Sequence, residues 1–335
     1  MSARPLRAGV IGLGVGEQHV LSYSGIDGVE VRAVCDVDAE RLQRVADAWK
    51  VAERYEDWRR VTEHPDIDVV SICSYDDCHA EQAISAFRHG KHVMVEKPVA
   101  LNRRDAEAVL RAQQDARRLI TSNLILRRSP RFIELRRMIQ AGDFGEIFHI
   151  EGDYIHDILW KITEGWRGRM DFYCVVYGGG IHLIDLMRWL IGREIVEVAS
   201  VGNGIRSRGM AYRYEDCITS LLRFDGGATG KTLTTFGPRR TQLHALNVYG
   251  TQRTFVNDTP DARLYDGDKA ENVKIVTTPY PGMAKGDHLP DFIAAIREDR
   301  EPDVGARDVF RVLDVCLAAW EALAARRTIE VSYQI

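Results

Sequence analysis

Three groups of residues in this chain of 335 have types and spacings that can do chemistry. The first is Glu96-Lys97-Pro98, which closes the strand-like run Lys91–Val95. A lysine held at a strand end and partly desolvated has a lowered amine pKa and can exchange a proton with a hydroxyl. Paired with Glu96 in water, the same lysine is an ordinary surface cation. Pro98 ends the strand and allows a cis peptide bond that would set the lysine's direction. The second group is Gly178-Gly179-Gly180-Ile181-His182-Leu183-Ile184-Asp185, a glycine-led helix with His182 and Asp185 three residues apart and so on one face. An imidazole titrates near neutrality and suits proton transfer. Asp185 either orients that ring or braces the helix, and bracing is favoured.

The third group is Val10-Ile11-Gly12-Leu13-Gly14-Val15-Gly16-Glu17, a glycine turn between a strand and a helix. Gly12 permits the tight turn, Gly14 lets backbone approach a pyrophosphate, and the helix start, from Leu13 through Val15, supplies amide donors. The third glycine comes at Gly16, one residue earlier than the usual spacing, which reads as a shortened turn. The next strand, Val31–Cys35, ends in Asp36, 22 residues beyond Gly14. An acid there receives the adenosine ribose hydroxyls of a dinucleotide. Val37 and Asp38 follow, with no Arg or Lys to neutralise a 2′-phosphate, so NAD is expected rather than NADP. A look-alike of a nucleotide-triphosphate loop at Gly226–Thr232 has Asp225 where a glycine is needed. It also lies between two strand patterns, so it reads as a hairpin turn.

The elements that must position these residues follow from periodicity. Short apolar runs at Ala8–Ile11, Val29–Cys35, Val69–Cys73, His92–Val95 and Leu119–Ile120 alternate with helical patterns. Those patterns carry Leu42, Val45, Ala46 and Trp49; Ala80, Ala83, Ile84 and Phe87; and Ala106, Val109 and Leu110. This alternation predicts a doubly wound parallel sheet, a Rossmann domain over residues 1–123. From 124 to 335 the pattern changes to a helix near Arg131–Ala141, the long strand Glu146–Tyr154, the helix to Ile191 and strands joined by glycine turns. Helices at Asp287–Glu298 and Ala306–Arg326 close the chain. A second, α+β domain with a large, mostly antiparallel sheet is expected, and an exposed sheet there predicts a homodimer or homotetramer.

Composition agrees with two domains: 45% of residues are hydrophobic, and 45 Lys+Arg face 49 Asp+Glu, a net charge of −4. That balance gives no overall nucleic-acid-binding surface. Six scattered cysteines without a C-x-x-C pair suit buried thiols in a reducing cytoplasm. The polar stretch Met1–Arg7 lacks the apolar run of a signal peptide, and no segment approaches the ~20 apolar residues of a membrane span. The remaining histidines lack ligand spacing, so no metal is expected.

Taken together, the glycine turn, Asp36, Glu96-Lys97-Pro98 and the antiparallel second half resemble the Gfo/Idh/MocA oxidoreductases, the glucose–fructose oxidoreductase and inositol dehydrogenase group. The likeness covers essentially the whole chain. Asn123–Pro130 is similar to the family's R-x-x-P segment, with Arg127 at its arginine; Trp166-Arg167 looks like its Trp-Arg pair, and Gly178–Asp185 matches its H-x-x-D helix. The resemblance implies Lys97 and His182 in acid–base roles. It implies a cofactor site of Gly12, Leu13, Gly14, Val15, Gly16, Asp36, Ser74, Tyr75, His79, Glu96, Lys97 and Arg167. For the substrate it implies Lys97, Arg127, Trp166, His182 and Asp185, with a sugar, nucleotide sugar or cyclitol ring as the reacting partner. Trp160, Lys161 and Arg169 are further candidates. Two positions depart from the pattern. Gly178 stands where the family often has an aspartate, with Asp153, Asp157 or Asp171 as substitutes, and Tyr75-Asp76 replaces Pro-Asn in the loop before His79. His79 either lines the nicotinamide site or starts a helix. The alternatives to a dehydrogenase are a silent NAD-binding sensor of the same fold and an epimerase or eliminase that passes through a transient ketone.

Overall fold

The computed structural model describes residues 4–335, with the side chain of Ala270 left aside; the first three residues of the polar amino-terminal stretch lie outside it. The described residues form two compact units, one of 4–125, 284–311 and 334–335, the other of 126–283 and 312–333.

In the first unit β1 (Leu6–Ile11), β2 (Val29–Cys35), β3 (Glu53–Tyr55), β4 (Val69–Ile72), β5 (His92–Val95) and β6 (Ile120–Ser122) form one parallel sheet in the order β3-β2-β1-β4-β5-β6. Helices α1 (Leu13–Ser24), α2 (Ala39–Ala48), α3 (Arg59–Thr62), α4 (His79–Arg88) and α5 (Arg103–Ala116) connect the strands. The doubly wound reading is borne out. The edge strand β3 has only three half-buried residues, Glu-Arg-Tyr, and carries no apolar pattern that would reveal it. Ala8, Val10, Val34, Val69 and Met94 from the strands pack with Leu13, Val20 and Tyr23 of α1 and Leu42, Val45 and Ala46 of α2. Leu289, Phe292 and Ile293 join the same core. The sequence reading assigns the helix that carries them to the second half, yet its apolar face is buried against α1.

The second unit opens with α6 (Pro130–Gln140), β7 (Ile147–Ile155), α7 (Trp160–Thr163) and α8 (Ile181–Ile191). There follow β8 (Ile195–Asn203), β9 (Cys217–Phe224), β10 (Thr229–Thr235), β11 (Leu243–Gly250), β12 (Thr254–Asn257), β13 (Ala262–Tyr265) and β14 (Val273–Val276). Helix α9 (Leu289–Glu298) belongs to the first unit, and α10 (Ala306–Ala325) leads to β15 (Ile329–Glu330). Nine strands pair in the order β14-β13-β12-β11-β7-β10-β9-β8-β15, all antiparallel except β7 with β10. Gly226 and Gly227 take φ of 77° and 96° in the β9–β10 hairpin, so the triphosphate-loop look-alike is a turn between strands. Helix α8 lies on one face of this sheet: a Cβ at Gly152 of β7 would sit 3.1 Å from Leu183 Cβ and Met187 Sδ.

Candidate active site

In the first unit the candidate site follows from the sheet order. β1 and β4 are neighbours at which the winding reverses, and ligands of such sheets bind beyond the strand ends at that point. Gly12 leaves β1 with φ of 83°, and a Cβ on it would lie 2.5 Å from the Cys73 carbonyl oxygen at the end of β4. Only glycine fits there. Gly16 seats the helix on the sheet, since its Cβ would meet Val10 Cγ1 at 2.7 Å. Gly14 is different: it is exposed, and nothing lies within 4 Å of the place its Cβ would take. An open backbone face at the start of α1, with Val15 half-buried beside it, fits a dinucleotide pyrophosphate.

Asp36 is buried at the end of β2. Its carboxylate accepts from the Leu13 amide at 2.7 Å and from the Asp38 amide at 2.9 Å. Arg41 Nη1 stands 3.2 and 3.3 Å from its two oxygens. The expectation that no basic residue attends Asp36 is therefore corrected. Arg41 is one turn into α2, and its side chain returns over the helix start that Asp38 caps.

Glu96 and Lys97 follow β5, and the Lys97–Pro98 bond is cis. Glu96 accepts from Asn123 Nδ2 at 2.7 Å, lies 3.9 Å from His19 Nε2, and is 13% exposed. Burial opposes its ionisation, but the charge of Lys97, with His19, Asn123 and Lys285, outweighs burial and holds its pKa below the usual carboxylate range. His19 is the functional neighbour that sequence reasoning missed. It is fully buried beside Ser71 Oγ (3.1 Å) and Cys73 Sγ (3.4 Å), and burial pushes its pKa down to about 4. A lone histidine inside a helical pattern gives no signal of this. His79 is also fully buried at the start of α4. Its Nδ1 faces the Pro98 carbonyl at 2.7 Å and its Nε2 the Ser74 carbonyl at 3.3 Å, so it ties the β4 loop to the lysine loop. Ser74 Oγ donates to Gln82, while Tyr75 is 45% exposed.

In the second unit His182 is the second residue of α8, stacked on Tyr154 of β7 with centroids 6.2 Å apart and planes at 20°. Tyr154 Oη lies 3.1 Å from His156 Nδ1, and His244 stands directly across from Tyr154 in the β11–β7 register. His244 accepts from or donates to Tyr280 Oη through Nδ1 at 2.8 Å; burial, then His156, lowers its pKa to about 4. Burial raises the Tyr154 pKa to about 12 against the opposing charge of Arg167. The sequence showed these residues singly, and only strand pairing assembles them around His182.

Gly178 answers one open question. A Cβ there would lie 1.7 Å from Tyr173 Oη, so a tyrosine hydroxyl fills the space of the expected aspartate. Gly179 and Gly180 are pressed the same way by Tyr154 and Thr234. Of the proposed substitutes, Asp153 holds Lys231 Nζ at 2.9 Å and the Leu233 amide at 2.8 Å, while Asp157 and Asp171 are exposed.

Arg127 and Asp185, both expected at the substrate, are instead turned on each other. Arg127 Nε and Nη2 donate to the two Asp185 oxygens at 2.8 and 2.5 Å, with 6% and 1% of the side chains exposed. This buried fork fixes the segment before α6 to α8, the bracing role. Trp166 and Arg167 share a 3-10 turn, the guanidinium 4.1 Å from the Trp166 ring and 5.5 Å from that of Tyr173. Trp160 is 55% exposed with Lys161 Nζ over its ring, and Arg169 is exposed. Among the described residues no group of three His, Cys, Asp or Glu could hold a metal ion, and no helix is long and apolar enough to cross a membrane.

Both halves of the chain match known family models. Residues 6–124 match the model of the oxidoreductase family with an NAD-binding Rossmann fold, and residues 132–256 match the GFO/IDH/MocA C-terminal domain. The chain is 24% identical to myo-inositol 2-dehydrogenase of Thermotoga maritima, over 97% of this chain and 98% of that one. It is 29% identical over 196 residues to inositol 2-dehydrogenase of Salmonella typhimurium, where the match spans 56% of this chain and about half, 55%, of the relative. Levoglucosan dehydrogenase in complex with NADH and levoglucosan has the same fold, with a TM-score of 0.87 at 24% identity over 99% of this chain and all of that one. The chain belongs to the Gfo/Idh/MocA oxidoreductase family, with an NAD-binding Rossmann domain followed by the family's C-terminal domain.

Proposed function

We propose that this protein is an NAD-dependent dehydrogenase that moves a hydride between nicotinamide and a ring hydroxyl or ketone of a sugar, nucleotide sugar or cyclitol. The observation that carries the reading is Lys97 at the carboxyl end of β5, beside a carboxylate held ionised and in a Rossmann unit whose glycine turn leaves Gly14 open. The relatives named as inositol and levoglucosan dehydrogenases support the substrate class.

Oxidising a secondary alcohol removes a hydride and a proton together. NAD, when bound, supplies the hydride acceptor. Gly12, Leu13, Gly14, Val15 and Gly16 would hold the pyrophosphate through backbone amides, and Asp36 the adenosine ribose. Lys97 in its uncharged form would take the hydroxyl proton as the carbonyl forms, becoming the ammonium, and His182 shares the acid–base work, its ring stacked on Tyr154. Ser74, Tyr75, His79 and Arg167 shape the nicotinamide surroundings, while Trp166 offers an aromatic face to the sugar ring. Arg127 and Asp185 act one step back, by fixing the helix that bears His182. The six unpaired cysteines suit a reducing cytoplasm. A homodimer or homotetramer forms through the outer face of the nine-stranded sheet.

A panel of myo-inositol, its isomers, levoglucosan and common aldoses, incubated with NAD and followed by NADH absorbance, tests the reading. Turnover of at least one ring alcohol is expected. Silence across the panel with tight NADH binding intact would point to a sensor. Recovery of a product of unchanged redox state, without net NADH, would point to an epimerase or eliminase.

A further inference from the structure

The segment 284–311 returns to the first unit, and its opening residues run along α1. Gly286 is the point of contact: a Cβ there would lie 2.5 Å from Ser22 Cβ and 3.0 Å from the Gln18 carbonyl oxygen. Ser22 Oγ donates to the Gly286 carbonyl at 2.9 Å. Around it, the Ala284 amide donates to Asp287 Oδ2 at 2.7 Å and the Leu289 amide to the Gly286 carbonyl at 3.0 Å. Lys285, one residue before the contact, has its main chain hydrogen-bonded to the His19 ring, whereas the residue itself is exposed. Its backbone is thus pinned beside the middle of α1, between Gln18 and Ser22.

The ammonium acts electrostatically on three groups, His19, Cys73 and Glu96. His19 lies in the middle of α1, and Cys73 and Glu96 follow β4 and β5 at the carboxyl edge of the sheet, the edge at which the glycine turn leaves β1. Among the described residues Lys285 has no ion-pair partner. A bound dianion would change that.

We propose that Lys285 is a binding residue for the dinucleotide, its ammonium pairing with the pyrophosphate that the glycine turn receives. The inference rests on the cofactor site described above. It makes the returning segment, in which Lys285 lies 269 residues beyond Gly16, part of that site.

Fluorescence titration of the full-length protein with NADH and, by competition, with ADP-ribose tests this. Lys285→Met is expected to weaken both ligands about tenfold, the scale of one charge-assisted contact, and Lys285→Arg to stay within about threefold of the parent. Lys50→Met, at the far end of α2, serves as the control lysine and should leave both affinities unchanged. Lys285→Gln repeats the test should methionine disturb the loop. Unchanged NADH affinity in Lys285→Met and Lys285→Gln would overturn the proposal. So would a loss confined to NADH, because ADP-ribose keeps the diphosphate and lacks only the nicotinamide. Failure of the parent protein to bind NADH would overturn the cofactor site itself, a result distinct from either.

Discussion

Single atoms decide much of the chemistry near His182. At position 178 a hydrogen, rather than a methyl group, leaves space for Tyr173 Oη, and the neighbouring glycines do the same for Tyr154 and Thr234. A methyl group added to such a filled space costs about 1–3 kcal/mol. Gly178→Ala should lower the unfolding free energy from denaturant titration by that amount. Tyr173→Phe, which removes the nearest atom, should recover part of the loss in the double variant. Strict additivity of the two substitutions would contradict the contact, since residues in contact couple. Arg127 and Asp185 show the same economy of means. Their fork occupies both oxygens of the carboxylate and fastens the segment before α6 to α8.

At the scale of elements, one face of the nine-stranded sheet is covered by α8, and the other carries Phe148, Val201, Leu221 and Ile275, each more than half exposed. Long sheet faces with several large apolar side chains mark association surfaces. Multi-angle light scattering should give a mass of two or four chains, reduced by Phe148→Asp with Leu221→Glu. A monomeric parent, or an unchanged mass in the double variant, would contradict this surface. The elements themselves were largely legible in the sequence, because the alternation of apolar runs with helical spacing is strong from Ala8 to Phe87 and again along β7 to β12. What escaped was pairing over long separations. The pattern of α9 is plain, but nothing in it says that Leu289 and Phe292 bury against Tyr23 rather than against their sequence neighbours. The site divides in the same way. Gly12, Asp36 and Lys97 lie at strand ends that the pattern locates, whereas Arg41 over Asp36 and His244 across from Tyr154 depend on a returning side chain and on a strand register.

For the molecule as a whole, a near-neutral charge balance conceals a local order of charges. Carboxylates at Asp36 and Glu96 are each attended by cations, Arg41 in one case and Lys97 with Lys285 in the other. In the Rossmann unit Lys97 follows β5, and in the second unit His182 stacks on Tyr154. Lys97 is the group proposed to carry the proton transfer of an NAD-linked alcohol oxidation. Steady-state turnover of Lys97→Met on whichever ring alcohol the parent oxidises, measured beside its NADH affinity, tests that claim most directly. Turnover should fall about 10²–10⁴-fold, the contribution of a positioned acid–base group, a loss larger than any in NADH affinity. Undiminished turnover in this variant would contradict the account.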